Sequence, residues 1–319
     1  MRSTIIRGSA IAAGLTLALG LAACSTGADA GTDTGSESST GQFAKDENTL
    51  VIGMVPDQES VENNFQPMVD YIAEVTGKEV ELIESADYAA LVEAAIAGRI
   101  DIGTFSGFTY VAATNGGADL IPIGVQVTEE GAEPGYESVA IANADSDVES
   151  IEDFAGKNVC FVDPGSTSGY LYPSATLLDA GIDPEADITP VFAGGHDASA
   201  QKTAQGVECE VGFAEDAVVD DTGIEQGLFA EGDLKVIART TVPGAPVVMS
   251  GLLPQDLQDE LLEQLQGFTV QDIEDAGITV TDAFRAYFYE MVPVEDSYYD
   301  TVRLVCEETG APQCDPAAA

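Results

Sequence analysis

The sequence predicts an α/β chain of two lobes, each a doubly wound, mostly parallel sheet with helices on both faces. Three observations carry this. Short apolar runs alternate with helical patterns from residue 50 to residue 215. One β-α-β-α-β order occurs twice. Two further stretches, Tyr136–Ala142 and Val236–Met249, sit where the chain must cross between the copies. Strands alternating with helices at this spacing imply parallel sheets covered on both sides.

The first copy opens with Leu50-Val51-Ile52-Gly53-Met54-Val55-Pro56-Asp57. A helical pattern follows (Phe65, Met68, Val69, Ile72), then a strand, Val80–Ile83. Asp87-Tyr88, a helix over Ala89–Ala97 and the run Gly98–Gly103 complete it. The second copy opens with Val159-Cys160-Phe161-Val162-Asp163-Pro164. It continues with a helix (Ala175–Asp179), a strand (Ile188–Phe192), His196-Asp197, a helix (Ala198–Gln205) and Glu210-Val211-Gly212. Doubly wound order puts the first and third strands of each copy side by side. Residues 254–290 read as helices returning to the first lobe, with Leu257, Leu261, Leu262 and Leu265 on one face.

The amino terminus reads as a bacterial export signal over residues 1–23. Arg2 and Arg7 form its charged part and Ile11–Leu21 its apolar part, which is short for a membrane span. Leu21-Ala22-Ala23-Cys24 resembles the lipobox of bacterial lipoproteins. It predicts cleavage before Cys24, a lipid on its sulfur and a location outside the cytoplasm, on the outer face of the cell membrane. Residues 24–47 are rich in Ser, Thr, Gly, Asp and Glu, with Phe43 the one large apolar residue, and read as a disordered tether. The remaining ~270 residues suffice for two cores. Lobe 1 takes residues 48–140 and 245–319, and lobe 2 residues 141–244.

Charge narrows the partners. The chain carries 11 Lys and Arg, 56 Asp and Glu and one His, a formal charge of −45. Without Arg2 and Arg7 the balance is 9 against 56, or −47. That argues against nucleic acid or anionic lipid as a partner. Four cysteines follow Cys24: Cys160, Cys209, Cys306 and Cys314. An even count in an exported chain suggests two disulfides, and four cysteines allow three pairings. Cys306–Cys314 would close a short carboxy-terminal loop. Adjacent first and third strands set Cys160 beside Cys209. The spacing fits no zinc motif, so no metal is expected.

The candidate site begins at Asp163-Pro-Gly-Ser-Thr-Ser-Gly-Tyr170, between an apolar strand and a helix. A strand-to-helix turn offers backbone N–H groups, hydroxyls and the positive helix end to an anion. Helix capping is the plainer role for Ser166, Thr167 or Ser168, but one hydroxyl suffices for a cap. Three hydroxyls between Gly165 and Gly169 fit a phosphate-like oxyanion better. His196, at the matching loop of the second copy, is either structural or a donor to that oxyanion. Tyr88 and Tyr136 are either packing residues or hydroxyls that close over a ligand from the opposite lobe. Glu215 and Asp216 follow the last strand of the copy. They are helix-start residues or acceptors for a protonated oxygen or an ammonium group. A Ser168–His196–Asp triad would put its nucleophile in a helix-start turn without an elbow motif. No glycine-rich loop ends in Lys-Ser or Lys-Thr, so an enzyme is not expected.

The chain resembles the phosphonate-, phosphite- and phosphate-type substrate-binding proteins of ABC importers from about Leu50 to Leu253. The likeness rests on Val51–Pro56, Asp87-Tyr88-Ala89, Gly98–Gly103, Pro134-Gly135-Tyr136, Asp163–Tyr170, Gly195-His196-Asp197 and Pro243-Gly244-Ala245-Pro246. It implies a two-lobed periplasmic-binding-protein fold of type II character, with no cofactor. It also implies that Ser166, Thr167, Ser168 and His196 hold a phosphorus oxyanion, with Tyr88, Tyr136 and Asp216, or Glu215 at one residue's slip, around it. The implied partners are that ligand, an ABC permease with its ATPase, and the membrane through the lipid on Cys24; the protein is expected as a monomer. The run Thr104-Phe105-Ser106-Gly107-Phe108 departs from the Gly-Pro or Gly-Asn usual in the family, so Phe105 and Phe108 are expected to reshape the wall near the ligand's substituent. The alternatives are a binding protein or sensor subunit of the same fold for another small solute, such as a sulfonate, and, as an enzyme, a phosphoester hydrolase.

Overall fold

The computed structural model describes residues 41–55 and 61–314. The expected export signal, the lipidated Cys24 and the tether up to residue 40 lie outside the described residues.

The chain runs β1 (Thr49–Met54), α1 (Val61–Thr76), β2 (Glu79–Glu84), α2 (Tyr88–Ile96), β3 (Ile102–Thr104), α3 (Gly107–Asn115) and β4 (Leu120–Val127). It continues with β5 (Tyr136–Asn143), β6 (Asn158–Phe161), α4 (Tyr172–Asp179), β7 (Thr189–Phe192), α5 (His196–Gln205), β8 (Val211–Glu215), α6 (Gly223–Glu225) and β9 (Leu234–Val242). The last part holds β10 (Pro246–Ser250), α7 (Gln255–Leu265), α8 (Val270–Asp275), α9 (Asp282–Tyr287), β11 (Glu290–Val292) and α10 (Asp300–Thr309).

Two sheets result. The first has the order β11-β4-β10-β3-β1-β2, the second β7-β6-β8-β5-β9. Each repeat supplies three parallel strands in the doubly wound order, with Ile52 opposite Ile102 in one and Cys160 opposite Gly212 in the other. Both sheets are nevertheless mixed. β10 runs antiparallel to β3 and β4, and β5 antiparallel to β8 and β9. The register gives the reason. The chain leaves β4 at its carboxyl end and joins the second sheet beside the carboxyl end of β8, where Ser138 opposes Glu215. A strand that enters at that edge can only run back against its neighbour.

Alternation along the central strands divides the apolar side chains between two faces. Leu50 and Ile52 pack with Met249, Leu261, Leu265, Phe284 and Phe288, so the helices of residues 254–290 do cover the first sheet. Val51, one residue out of phase, packs with Leu91, Phe108, Val111 and Val302. In the second sheet Phe161 and Phe213 stack on one face, while Val139, Ile141 and Ala214 line the other. Each fully buried Val, Leu, Ile, Met or Phe side chain among these contributes ~1.5–3 kcal/mol.

Two local features were not expected. Residues 41–47, read as the end of a tether, are held on the first sheet. Gln42 N–H donates to Leu252 O at 2.7 Å, and Ala44 N–H to Asp101 Oδ1 at 2.8 Å. Asp101 is buried and also accepts from Val51 N–H at 2.8 Å, so one carboxylate fastens this segment to β1. The second is a carboxy-terminal turn, Asp296–Tyr299, leading into α10, which packs on both α3 and α4. Cys160 pairs with Cys209 and Cys306 with Cys314, at Cα separations of 5.7 and 5.8 Å.

Candidate functional site

The turn after β6 is built by its own side chains. Asp163 Oδ1 accepts from Gly165 N–H at 2.7 Å, and Ser166 Oγ accepts from Gly169 N–H at 3.0 Å. Ser166 thus caps the wide turn Thr167–Leu171 that leads into α4. The other two hydroxyls go elsewhere. Thr167 Oγ1 accepts from Phe108 N–H at 2.8 Å, which ties the turn to the start of α3 beside the first sheet. Ser168 Oγ is buried and has no hydrogen-bond partner, while its carbonyl accepts from Ser138 Oγ at 2.6 Å. A buried hydroxyl left unmatched costs ~1–3 kcal/mol.

His196 opens α5 and is 2 % exposed. Its Nδ1 accepts from Glu215 N–H at 3.0 Å. With Nδ1 accepting, the ring proton sits on Nε2, which becomes the donor atom. Asp87 caps α2 by accepting from Ala90 N–H at 2.8 Å, and this fixes Tyr88 at the helix start.

A cavity of about 370 Å³ collects residues from both sheets. Tyr88, Tyr136, Ser166, His196, Glu215 and Asp216 all line it. Thr167 and Ser168 lie behind that wall, each fully buried. Phe105 lines the cavity, whereas Phe108, within α3, is fully buried in the core and does not, contrary to the expectation. Phe284, Tyr287 and Phe288, which no sequence motif marks, form an apolar part of the wall at the end of α9. Their helical spacing marks a packed face and carries no signal for a ligand.

The carboxyls of the site are held away from their ordinary behaviour. Burial, then the charges of Asp216 and Asp197, push Glu215 up to about 8. Burial also raises Asp216, against the pull of backbone N–H groups at Glu137 and Ala217. Burial thus favours the neutral, protonated form of the Glu215 carboxyl. Among the described residues no group of three or more His, Cys, Asp or Glu is placed to hold a metal ion, and no helix is long and apolar enough to cross a membrane.

Comparison with known proteins agrees with this geometry. Residues 52–299 match the family model described as ABC transporter, phosphonate, periplasmic substrate-binding protein. The chain is 39 % identical over 281 residues to the phosphate-import protein PhnD of Mycolicibacterium smegmatis, covering 83 % of this chain and 87 % of that protein. It is 25 % identical over 215 residues to the phosphonates-binding periplasmic protein of Escherichia coli, covering 65 % and 61 %. In fold it is similar to PhnD1 of Prochlorococcus marinus in complex with methylphosphonate, with a TM-score of 0.70, 18 % identity and coverage of 83 % and 99 %. A binding-protein component of a Pseudomonas aeruginosa ABC phosphonate transporter gives a TM-score of 0.68 at 21 % identity, over 83 % and 87 % of the two chains. The match over most of the chain settles its kind: it belongs to the phosphonate-type periplasmic substrate-binding proteins of ABC transporters, solute-binding components that work outside the cytoplasm and are not enzymes.

Proposed function

We propose that the cavity captures a small phosphorus oxyanion (phosphate, phosphite or a small phosphonate) and that the loaded protein delivers it to a membrane permease with its ATPase. One observation carries the reading: side chains from both sheets, Tyr88 and Tyr136 with Ser166, His196, Glu215 and Asp216, converge on one cavity. The donors among them are neutral. Neutral donors in a site shielded from water make charge-assisted bonds to an anion without a competing counterion.

In this reading the oxyanion sits against the turn after β6 and the start of α5. His196 Nε2, the hydroxyl of Ser166 and the helix-start amides donate to it, and the Ser168 hydroxyl, buried and unmatched behind the wall, reaches it when the lobes close. Tyr88 and Tyr136 close over it. Residues 48–140 and 245–319 move as one lobe and residues 141–244 as the other, bending at the crossovers on either side of β5 and β9. Strand membership fits the boundary at 244/245 but moves the other one ahead of Tyr136, because β5 (Tyr136–Asn143), expected as a crossover, lies wholly in the second sheet. Export by residues 1–23 and a lipid on Cys24 keep the protein, as a monomer, beside its permease. The 39 % identity to a phosphate-import protein puts phosphate first among the ligands to try.

A thermal-shift panel tests the ligand class. Phosphate, phosphite, methylphosphonate and 2-aminoethylphosphonate are compared with alkanesulfonates at equal concentration. A ligand stabilises as the logarithm of its concentration over its dissociation constant. At least one phosphorus oxyanion should raise the midpoint, and the sulfonates should not. Stabilisation by sulfonates alone would reverse the assignment.

A further inference from the structure

The two crossovers are held together by a residue that lies in neither. One connects β4 to β5 over residues 128–135, the other β9 to β10 over residues 243–245. They touch at Gly135 and Gly244. A Cβ on Gly244 would overlap Val125 Cγ1 and stand 3.3 Å from Gly135 N, so the close approach requires glycine there. Tyr298, from the carboxy-terminal turn, bridges both. Its hydroxyl accepts from Gly244 N–H at 3.0 Å and donates to Pro134 O. The neighbouring Tyr299 hydroxyl, fully buried, donates to Gly244 O at 3.1 Å. The turn itself is braced, because Asp296 Oδ1 accepts from Tyr110 OH and from Arg303 Nη2, each at 2.6 Å.

We propose that Tyr298 is a hinge staple: its hydroxyl couples the two crossovers and so sets how readily the sheets part to admit and release ligand. This rests on reading the crossovers as hinges around the capture site. A hinge absorbs its rotation in a few backbone dihedrals. Gly244 and Pro134 are where that rotation would fall, and one phenolic oxygen restrains both. The turn that carries Tyr298 continues into α10, which packs on α3 and α4 and is closed by Cys306–Cys314. The carboxy-terminal segment thus acts as a brace across the hinge, and Tyr298 is a positioning residue that touches no ligand.

The test is Tyr298→Phe, which keeps the ring and removes the bridge. Spin labels on unnatural amino acids at Glu93 and Glu185, exposed positions in the first and second halves of the fold, report the separation of the sheets. Without ligand, the variant should show a broader distance distribution shifted to longer values. Its phosphate dissociation rate should rise on the order of fivefold, as expected for one lost hydrogen bond. A folded variant with an unchanged distribution and unchanged rates overturns the proposal. The wild-type protein gives a second check if the variant does not fold. The Gly244 amide should resist hydrogen exchange with and without ligand, and free exchange would equally overturn it. The ligand-free distances are independent of what the cavity binds. If no phosphorus oxyanion binds and the variant still opens, the staple stands and the ligand reading falls.

Discussion

Phe108 donates its backbone N–H to Thr167 Oγ1 at 2.8 Å, and this bond joins the first helix after β3 to the anion-type turn after β6. A free N–H near the start of α3 is satisfied by a side chain from the other half of the molecule. The adjacent Ser106 Oγ donates to Gly165 O at 3.0 Å in the same direction. Thr167 therefore sits behind the cavity wall and ties the two halves of the molecule together.

Replacing Thr167 with Val keeps the shape and removes the acceptor. The Phe108 N–H is then buried without a partner whenever the halves are together, at a cost of ~1–3 kcal/mol. Phosphate affinity measured by calorimetry should fall on the order of tenfold. Unchanged affinity would mean that the bond has no part in the ligand-bound arrangement.

Gly165 makes a second prediction. A Cβ there would stand 2.6 Å from Tyr88 Cβ and 3.2 Å from Thr109 Cγ2. Gly165→Ala should resist the approach of Tyr88 to the turn, with an overpacking cost of ~1–3 kcal/mol. Binding should weaken while the ligand-free melting midpoint stays close to that of the wild type. A lowered midpoint with intact affinity would make the contact a packing contact alone.

Much of the fold was legible because it follows from periodicity. The runs at Leu50–Met54 and Val159–Phe161 and the helical spacing between them recur, and the parallel strands fall where that repeat puts them. The antiparallel strands were harder. β4 carries Pro122 and Gly124 within its run, and β11 is three residues long, so neither reads as a strand without its neighbours. The site shows the same limit. Ser166-Thr167-Ser168 reads as one grip, yet one hydroxyl caps its own turn, one reaches Phe108 and one is left unmatched. Nothing local distinguishes those three fates. Tyr298 could not be picked out either, because its meaning lies in Pro134 and Gly244, far away in the chain.

Glu215 gives a pH prediction. Its folded-state value of about 8 lies above its ordinary 4.5, so the folded protein keeps a proton that the unfolded chain releases between those values. Stability therefore declines as pH rises through that window. Oxyanion affinity should also drop above about pH 8, where the carboxyl ionises and repels the ligand. Glu215→Gln should flatten both profiles, and melting curves and titrations across that range check them. A variant with wild-type slopes would remove Glu215 from the site's electrostatics.

The most direct test titrates phosphate, phosphite and methylphosphonate into the wild-type protein, Ser168→Ala and His196→Ala by isothermal calorimetry. At least one of these anions should bind one to one, and each variant should lose ~1–3 kcal/mol, as a charged acceptor loses a donor. Absence of binding by all three anions, or unchanged affinity in both variants, would rule out oxyanion capture at Ser168 and His196.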